Sequence, residues 1–552
     1  MLDKSRIVVF DIFSGIWPHT LLLNKVIGQL DPDKFEVVHV SCGSLFEKFC
    51  TVMESRKKRL DPNVKLSKLD CLDCSFSAKT SSFFISSKGL SKQSKAPRLS
   101  DFWSKELEAL ADSEVTSIIN GEYDENYLLN GVPIVKFALY ETIIKFKKLD
   151  LEFSPDEKSY LNSQISNNVR AQLATKAFFA SDSEFDLALF HSPEYGVNNT
   201  ISSVANLIGI ASYSIRGSSN LSEMNTSAMI WRWDYKPETQ PAFRNWQKSA
   251  DLSITNDELR RAQAHVEQLK IGKSPFVYSA AQNQNTLSSD ALSALGVPSG
   301  KRVVVLSLSS TDETVASKII GRGHKTSFPG TVFESQFDWV KATVDWASKR
   351  SDLTLIIRLH PRDLPNKRDP LESRQHSIWM ELLSNLPKNC ILNHPNQRIP
   401  FADICGISDV LVTGWSSTAL EALMMGVPVV TYDQSLPEFP VSLQLSGSTR
   451  NEYFSNLDIA LLQGESHKRM LKIDAERWLV HSLVRGAVRL SGRLFESIRT
   501  SGPTWARKVF TGLEIYGFYF WRPLELFFTF RKSKESARIN RIFAKGLPDL
   551  YS

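Results

Sequence analysis

The sequence predicts an α/β protein: two Rossmann-like domains facing a cleft, followed by C-terminal helices. Three observations lead there. Residues 301–432 alternate short apolar runs with helical patterns, as a parallel sheet covered by helices on both faces requires. The chain opens the same way, with an apolar strand at 6–10, a glycine-containing turn and an apolar helix at 21–30. Finally, 552 residues exceed what one core holds, so two or three domains are expected. The division is an N-terminal domain at 1–280, a linker at 281–300, a second domain at 301–465, and helices with a basic, aromatic tail at 466–552.

In the first domain, a second strand follows at 35–40. Residues 75–100, rich in Ser and Lys, read as a solvated surface loop. Helical patterns cover 102–120, 134–148 and 157–180, the second entered through Gly131-Val132-Pro133. A strand at 185–190 ends in His191-Ser192-Pro193-Glu194-Tyr195-Gly196, and after a helix at 198–208 a further strand at 211–215 ends in Arg216-Gly217. An amphipathic helix at 256–270 precedes the linker.

In the second domain, a strand at 301–308 ends in Ser309-Ser310-Thr311-Asp312-Glu313. A crossover helix at 337–350 leads to the strand 353–359, which carries Arg358 and ends in His360-Pro361-Arg362-Asp363; a short strand at 389–392 follows. The apolar run Val410-Leu411-Val412 stops at Thr413-Gly414. Ser416, Ser417 and Thr418 then supply hydroxyls where a helix begins, Gly426 closes that helix and Pro428 blocks its continuation. Long helices are expected at 461–499.

With 42% hydrophobic and 23% charged residues the composition is that of a globular protein, not a filament or a disordered chain. The net charge of +6 suits an anionic partner, but no zinc-finger spacing, RNP-like aromatic pattern or continuous basic helix points to nucleic acid. The basic excess gathers at Arg531, Lys532, Lys534, Arg538, Arg541 and Lys545, after an aromatic-rich stretch at 505–530. That combination fits an interfacial segment on anionic lipid, or aromatics packed against the N-terminal domain. The N-terminal apolar run is too short for a signal peptide, and no stretch reaches the roughly 18 apolar residues of a membrane span. A cytoplasmic protein, peripheral to the inner membrane through its tail, is therefore expected. Cys71 and Cys74 form a C-x-x-C and make a four-thiolate zinc site with Cys42 and Cys50 arithmetically available. The second pair lacks knuckle spacing, so unligated thiols are expected and no metal or other cofactor is assigned.

Two stretches carry the chemistry. A strand ending in a hydroxyl-rich helix start presents free N–H groups, the positive end of the helix dipole and hydroxyl donors to one spot, which suits a phosphate. Ser416, Ser417 and Thr418 do this with Gly414 at the turn, and Glu421, one turn on, is placed to reach a sugar hydroxyl. Arg358, His360, Pro361 and Arg362 equip a second strand end, and Ser309 and Ser310 a third. For the helix start alone, an ordinary capped core helix is an equal reading. On the other side of the cleft, His191 and Glu194 are the candidate general bases and Asp11 a third catalytic candidate, and Ser14, Gly15, His19 and Arg216 stand near strand ends where an acceptor would lie. A purely structural turn competes for each. The lone D-x-D, Asp31-Pro32-Asp33, reads as a turn, and the absence of G-x-G-x-x-G argues against a dinucleotide oxidoreductase.

The order RLHPRD, GWSST, EALMMGVPVV resembles bacterial capsular-polysaccharide glycosyltransferases, the group that includes Kdo transferases. It is more loosely similar to bacterial sialyltransferases and CDP-glycerol glycerophosphotransferases. The resemblance implies a GT-B fold and a cytidine-nucleotide donor held by His360-Pro361 and Ser416-Ser417-Thr418. Gly414-Trp415 departs from the Asp-Tyr of the glycerophosphotransferases, and Ile215-Arg216-Gly217 lacks an acid that relatives often carry before the arginine. The activity implied is transfer of a sugar, from a CMP-linked acid such as Kdo, to a surface polysaccharide or glycolipid. A CDP-polyol phosphotransferase, a non-catalytic assembly subunit and a nucleotide-sugar epimerase are the competing readings.

Overall fold

The computed structural model describes residues 4–46, 50–52, 68–92, 96–182, 184–233, 241–249, 252–272, 288–321, 332–366, 370–414, 416–432, 443–490, 503, 505, 509 and 521–552. Among these, twelve strands form two sheets: β1 (Ser5–Phe10), β2 (Phe35–Val40), β3 (Leu187–His191), β4 (Ala211–Gly217), β5 (Ser227–Arg232), β6 (Arg302–Ser307), β7 (Leu353–Arg358), β8 (Cys390–Asn393), β9 (Val410–Thr413), β10 (Val429–Thr431), β11 (Leu445–Ser446) and β12 (Val488–Arg489).

The first sheet has the order β12-β5-β4-β3-β1-β2, parallel except for β5, which runs antiparallel to both its neighbours, β4 and β12. The second, β11-β10-β9-β6-β7-β8, is parallel throughout. In each, the order reverses beside the first strand of the domain, between β1 and β3 and between β6 and β9. In open α/β sheets such reversals leave a crevice at the carboxyl ends, where ligands bind. Continuous apolar strands such as Val303–Leu306 and Leu355–Ile357 are buried, because helices cover both faces.

One reading changes in the structure, and one of the two alternatives for the tail is observed. Part of the stretch read as a loop is a helix, Lys68–Ser87. Its hydroxyls bond back onto their own helix, Thr80 to the Phe76 carbonyl, Ser81 to Ser77 and Ser82 to Ala78, while Phe84 and Ile85 enter the core of the first domain. The described tail packs on that same domain: Trp521, Leu526, Phe530, Ile539, Ile542 and Phe543 share a core with Ile7, Val9 and Leu23. β12 joins its sheet, so the chain crosses back to complete the first domain after helices Arg450–Leu462 and Glu465–Leu479. Residues 491–502 and most of 503–520 lie outside the described residues.

One helix, Ile134–Phe146, joins the two domains. Its apolar residues lie in the core of the first domain, and Ala316 of the second domain's helix Thr311–Ile319 is buried in that same core. Lys147, in the left-handed region at the helix end, sends its buried amine to the carbonyls of Arg362 and Leu371.

Candidate functional site

The first cluster lies at the β6/β9 reversal. The Thr413 hydroxyl donates to the Ser307 carbonyl (3.1 Å), and Thr418 Oγ1 donates to Ser307 Oγ (3.2 Å), which locks the start of helix Thr418–Met424 against the end of β6. Ser416 Oγ accepts from the Thr418 N–H, and the Ser417 side chain is exposed at the helix start. A Cβ at Gly414 would stand 3.0 Å from the Tyr432 ring, which would have to shift by a few tenths of an ångström to admit it. Beside the helix start opens a cavity of about 170 Å³ lined by His265, Leu269, Ser417, Leu420, Glu421 and Met424. Burial raises the Glu421 carboxyl to about 7, with Arg358 pulling the other way.

His360 follows β7. Its Nδ1 accepts from the Arg362 N–H (3.3 Å), and burial pushes its pKa down to about 4. The ring is thus neutral at physiological pH, with Nδ1 committed as acceptor, so Nε2 carries the proton as a hydrogen-bond donor. Here the expected cationic cluster differs. Arg362 is ion-paired with Asp312 (2.6 Å) and donates to the Ile144 carbonyl of the bridging helix, while Asp312 also accepts from Ser310. Arg358 donates to Asn393 Oδ1 and the Ile399 carbonyl and lies over the Phe401 ring. Both guanidinium groups are buried and bonded within the protein, because unpaired cations there would cost several kcal/mol. Pro361 begins the short 3₁₀ turn after His360. Ser309 is clamped by Gln336 and Gln375 through its backbone, and its buried hydroxyl has no hydrogen-bond partner among the described residues.

The second cluster lies at the β1/β3 reversal, where the rings of His19 and His191 stack with centroids 3.7 Å apart. Burial, with His19 and Arg216 nearby, holds the His191 pKa well below its usual value, so the imidazole is neutral. Ser192 adopts φ +46°, an unusual conformation for a serine, and Asn198 Nδ2 donates to the His191 carbonyl. Glu194 is buried and ion-paired with Arg216, whose guanidinium lies over Trp231. The acid absent before Arg216 in sequence is therefore supplied by the neighbouring strand end.

Asp11 is buried, with its carboxylate accepting from Thr20 and facing His39 at 3.3 Å. Ser14 Oγ donates to the Asp11 carbonyl. A Cβ at Gly15 would meet Val52 and Cys74 below 3 Å. These three build the turn that carries His19.

The bridging helix brings the clusters together. Glu141 accepts from the Gly196 N–H and Tyr140 packs against Tyr195 after the end of β3, while Ile144 and Lys147 bond the turn after β7. Tyr140 and Lys147 are separated by only about 10 Å of helix. The His191 turn and the His360 turn thus lie against one helix. Tyr140, Glu141 and Lys147 gave no signal in the sequence beyond ordinary helical patterning, and Asp312 none beyond its place after a strand end.

Cys42, Cys50, Cys71 and Cys74 line one small pocket with Ser14, and burial raises the Cys42 thiol to about 12. Among the described residues no group of three His, Cys, Asp or Glu side chains is arranged to hold a metal ion.

The reversals of strand order, the helix that joins the two domains and the chain's return to its first domain define the architecture. The fold is GT-B. Among solved structures the chain is similar to KpsC, the beta Kdo 2,4 transferase of Thermosulfurimonas dismutans (10% identity, 57% of this chain and 87% of that one, TM-score 0.35). It is also similar to that organism's KpsC beta Kdo 2,7 transferase (14%, 58% and 82%, 0.32) and to UDP-GlcNAc 2-epimerase from Neisseria meningitidis bound to UDP-GlcNAc (13%, 87% and 97%, 0.29). No family model and no curated protein matches the chain. In this GT-B chain each of the two clusters lies at the strand-order reversal of its own domain.

Proposed function

We propose that the protein is a glycosyltransferase that moves a sugar from a CMP-linked acid, Kdo-like in class, to a saccharide or glycolipid acceptor at the inner face of a membrane. The observation that carries this reading is the pairing of a phosphate-ready helix start on one side of the cleft with a neutral, half-buried histidine on the other. The donor phosphate lies against the N–H groups and hydroxyls of Ser416 and Ser417, at a helix start that Thr418 fixes through its bonds to Ser416 and Ser307, with His360 Nε2 donating a further hydrogen bond. The base occupies the cavity beside Glu421, which contacts the ribose. An acceptor hydroxyl gives its proton to His191 as its oxygen attacks the anomeric carbon. The bond from that carbon to the phosphate oxygen breaks, and CMP leaves with the charge. Fixed donors at the place where charge develops lower the barrier without a metal. The ion pair holds Glu194 and Arg216 as the frame of the acceptor turn, so the proton falls to His191.

Thermal-shift measurements with CMP, CDP, UDP and GDP, on the wild type and on His360→Ala, test the reading. Stabilisation by CMP that is clearly reduced in the variant is expected. Preference for UDP or GDP would exclude the CMP-linked donor, and no shift with any nucleotide would exclude a nucleotide-sugar donor site.

A further inference from the structure

Helices Lys68–Ser87 and Trp521–Thr529 lie side by side with their polarity partly reversed. Toward the protein they bury Asp73, Ser77, Ser81, Arg522 and Glu525. Arg522 pairs with Asp73, bonds Ser77 and donates to the Gly15 carbonyl, and Glu525 accepts from the Trp17 indole N–H (2.8 Å). Toward solvent they present Leu72, Phe76 and Phe83 on one helix and Leu524 and Phe528 on the other, from 39% to 67% exposed. The positions 72, 76 and 83 share one helical face. Phe83 and Phe527, with ring centroids 5.7 Å apart, join the two stripes into one patch.

Cations border it. Lys79 is exposed on the same face between Phe76 and Phe83, Lys88 lies over the Phe530 ring, and Arg531 and Lys532 are exposed just beyond. Among the described side chains the acids of the pair, Asp73 and Glu525, are turned inward, so the outward face at 72–83 and 524–528 is apolar and positive. A buried ionic seam beneath an exposed aromatic face is the reverse of a solvated helix pair, and it suits an apolar medium with an anionic surface. A second copy of the chain docked through the same face would set lysines against lysines.

We infer that this two-helix face docks on an anionic phospholipid bilayer, with Phe76, Phe83, Leu524 and Phe528 in the headgroup–acyl boundary and the lysines on lipid phosphates. It deepens, and rests on, the proposal of an acceptor at a membrane. The Arg522 bond to Gly15 ties the face to the acceptor-side turn, so a lipid-linked hydroxyl would enter the cleft from that side.

The test is flotation of the full chain, without donor or acceptor, on phosphatidylglycerol–phosphatidylethanolamine vesicles and on phosphatidylcholine vesicles. Binding to the anionic vesicles alone is expected, weakened by salt, and reduced about tenfold or more in F83S/F528S. Both residues are exposed, and an unchanged melting temperature verifies that the variant folds. The inference is overturned if the wild type floats with neither vesicle or if the variant floats as well as the wild type. It is also overturned if the substitutions dissolve a dimer seen by light scattering without changing flotation. Because flotation needs no nucleotide, its failure would leave the transferase reading standing, and loss of CMP binding would leave the lipid face standing.

Discussion

The imidazoles of His19 and His191 stack 3.7 Å apart, one from the helix after β1 and one from the end of β3. Two protonated rings at that separation would repel, so the pair favours the neutral state that a proton acceptor needs. His191→Asn is expected to lower kcat by about 10²–10³-fold while leaving CMP affinity unchanged. Equal loss of both in steady-state kinetics and nucleotide titrations would remove His191 from the proton-transfer role.

His360 donates from a neutral ring. Its pKa in the fold, about 4, lies below the ordinary value near 6.5, so its contribution to stability is complete above about pH 6.5 and is lost as pH falls toward 4. His360→Ala should weaken CMP binding by about 1–2 kcal/mol, roughly tenfold, and by the same factor at about pH 6 and pH 8. A difference between wild type and variant that grows as pH drops through 6.5 would mean that a charged imidazole binds the phosphate.

Arg362 and Asp312 form a buried pair beside the bridging helix. Arg362→Met alone should destabilise the protein by about 3–5 kcal/mol in denaturant melts, since it leaves Asp312 charged and unpaired. The double variant R362M/D312L should recover most of that loss. If both variants melt alike, the pair does not hold the interface.

Glu421 is protonated more readily in the fold than outside it. With a folded pKa of about 7, its contribution to stability is full below about pH 4.5 and is lost as pH rises through 7. The wild type should lose melting temperature between about pH 5 and pH 7, and Glu421→Gln should lose less. Parallel curves for the two proteins would show that Glu421 is ionised in the fold throughout.

The helix Lys68–Ser87 shows why part of the chain was illegible. Seven Ser and Thr residues within 75–87 read as loop, because these side chains compete for backbone hydrogen bonds in water. In the folded chain several of these hydroxyls bond carbonyls of their own helix, and Phe84 and Ile85 fix it to the core. By contrast the strand ends at 11–15, 191–196, 307–310, 359–363 and 413–418 were all legible. Apolar runs that stop abruptly at Gly, His or Ser mark them whatever lies nearby.

The sequence by itself determined the two doubly wound domains and the turns that bear the site, since strand periodicity and turn chemistry are local. Tertiary structure alone decided which charged groups are free to act. Arg362 is committed to Asp312 and Arg216 to Glu194. Lys147 spans the cleft to bond Arg362 and Leu371 carbonyls, and Arg522 meets Asp73 from 449 residues away. The reason is physical: a buried charge must find a partner wherever the fold supplies one, and that partner's distance along the chain leaves no pattern to read.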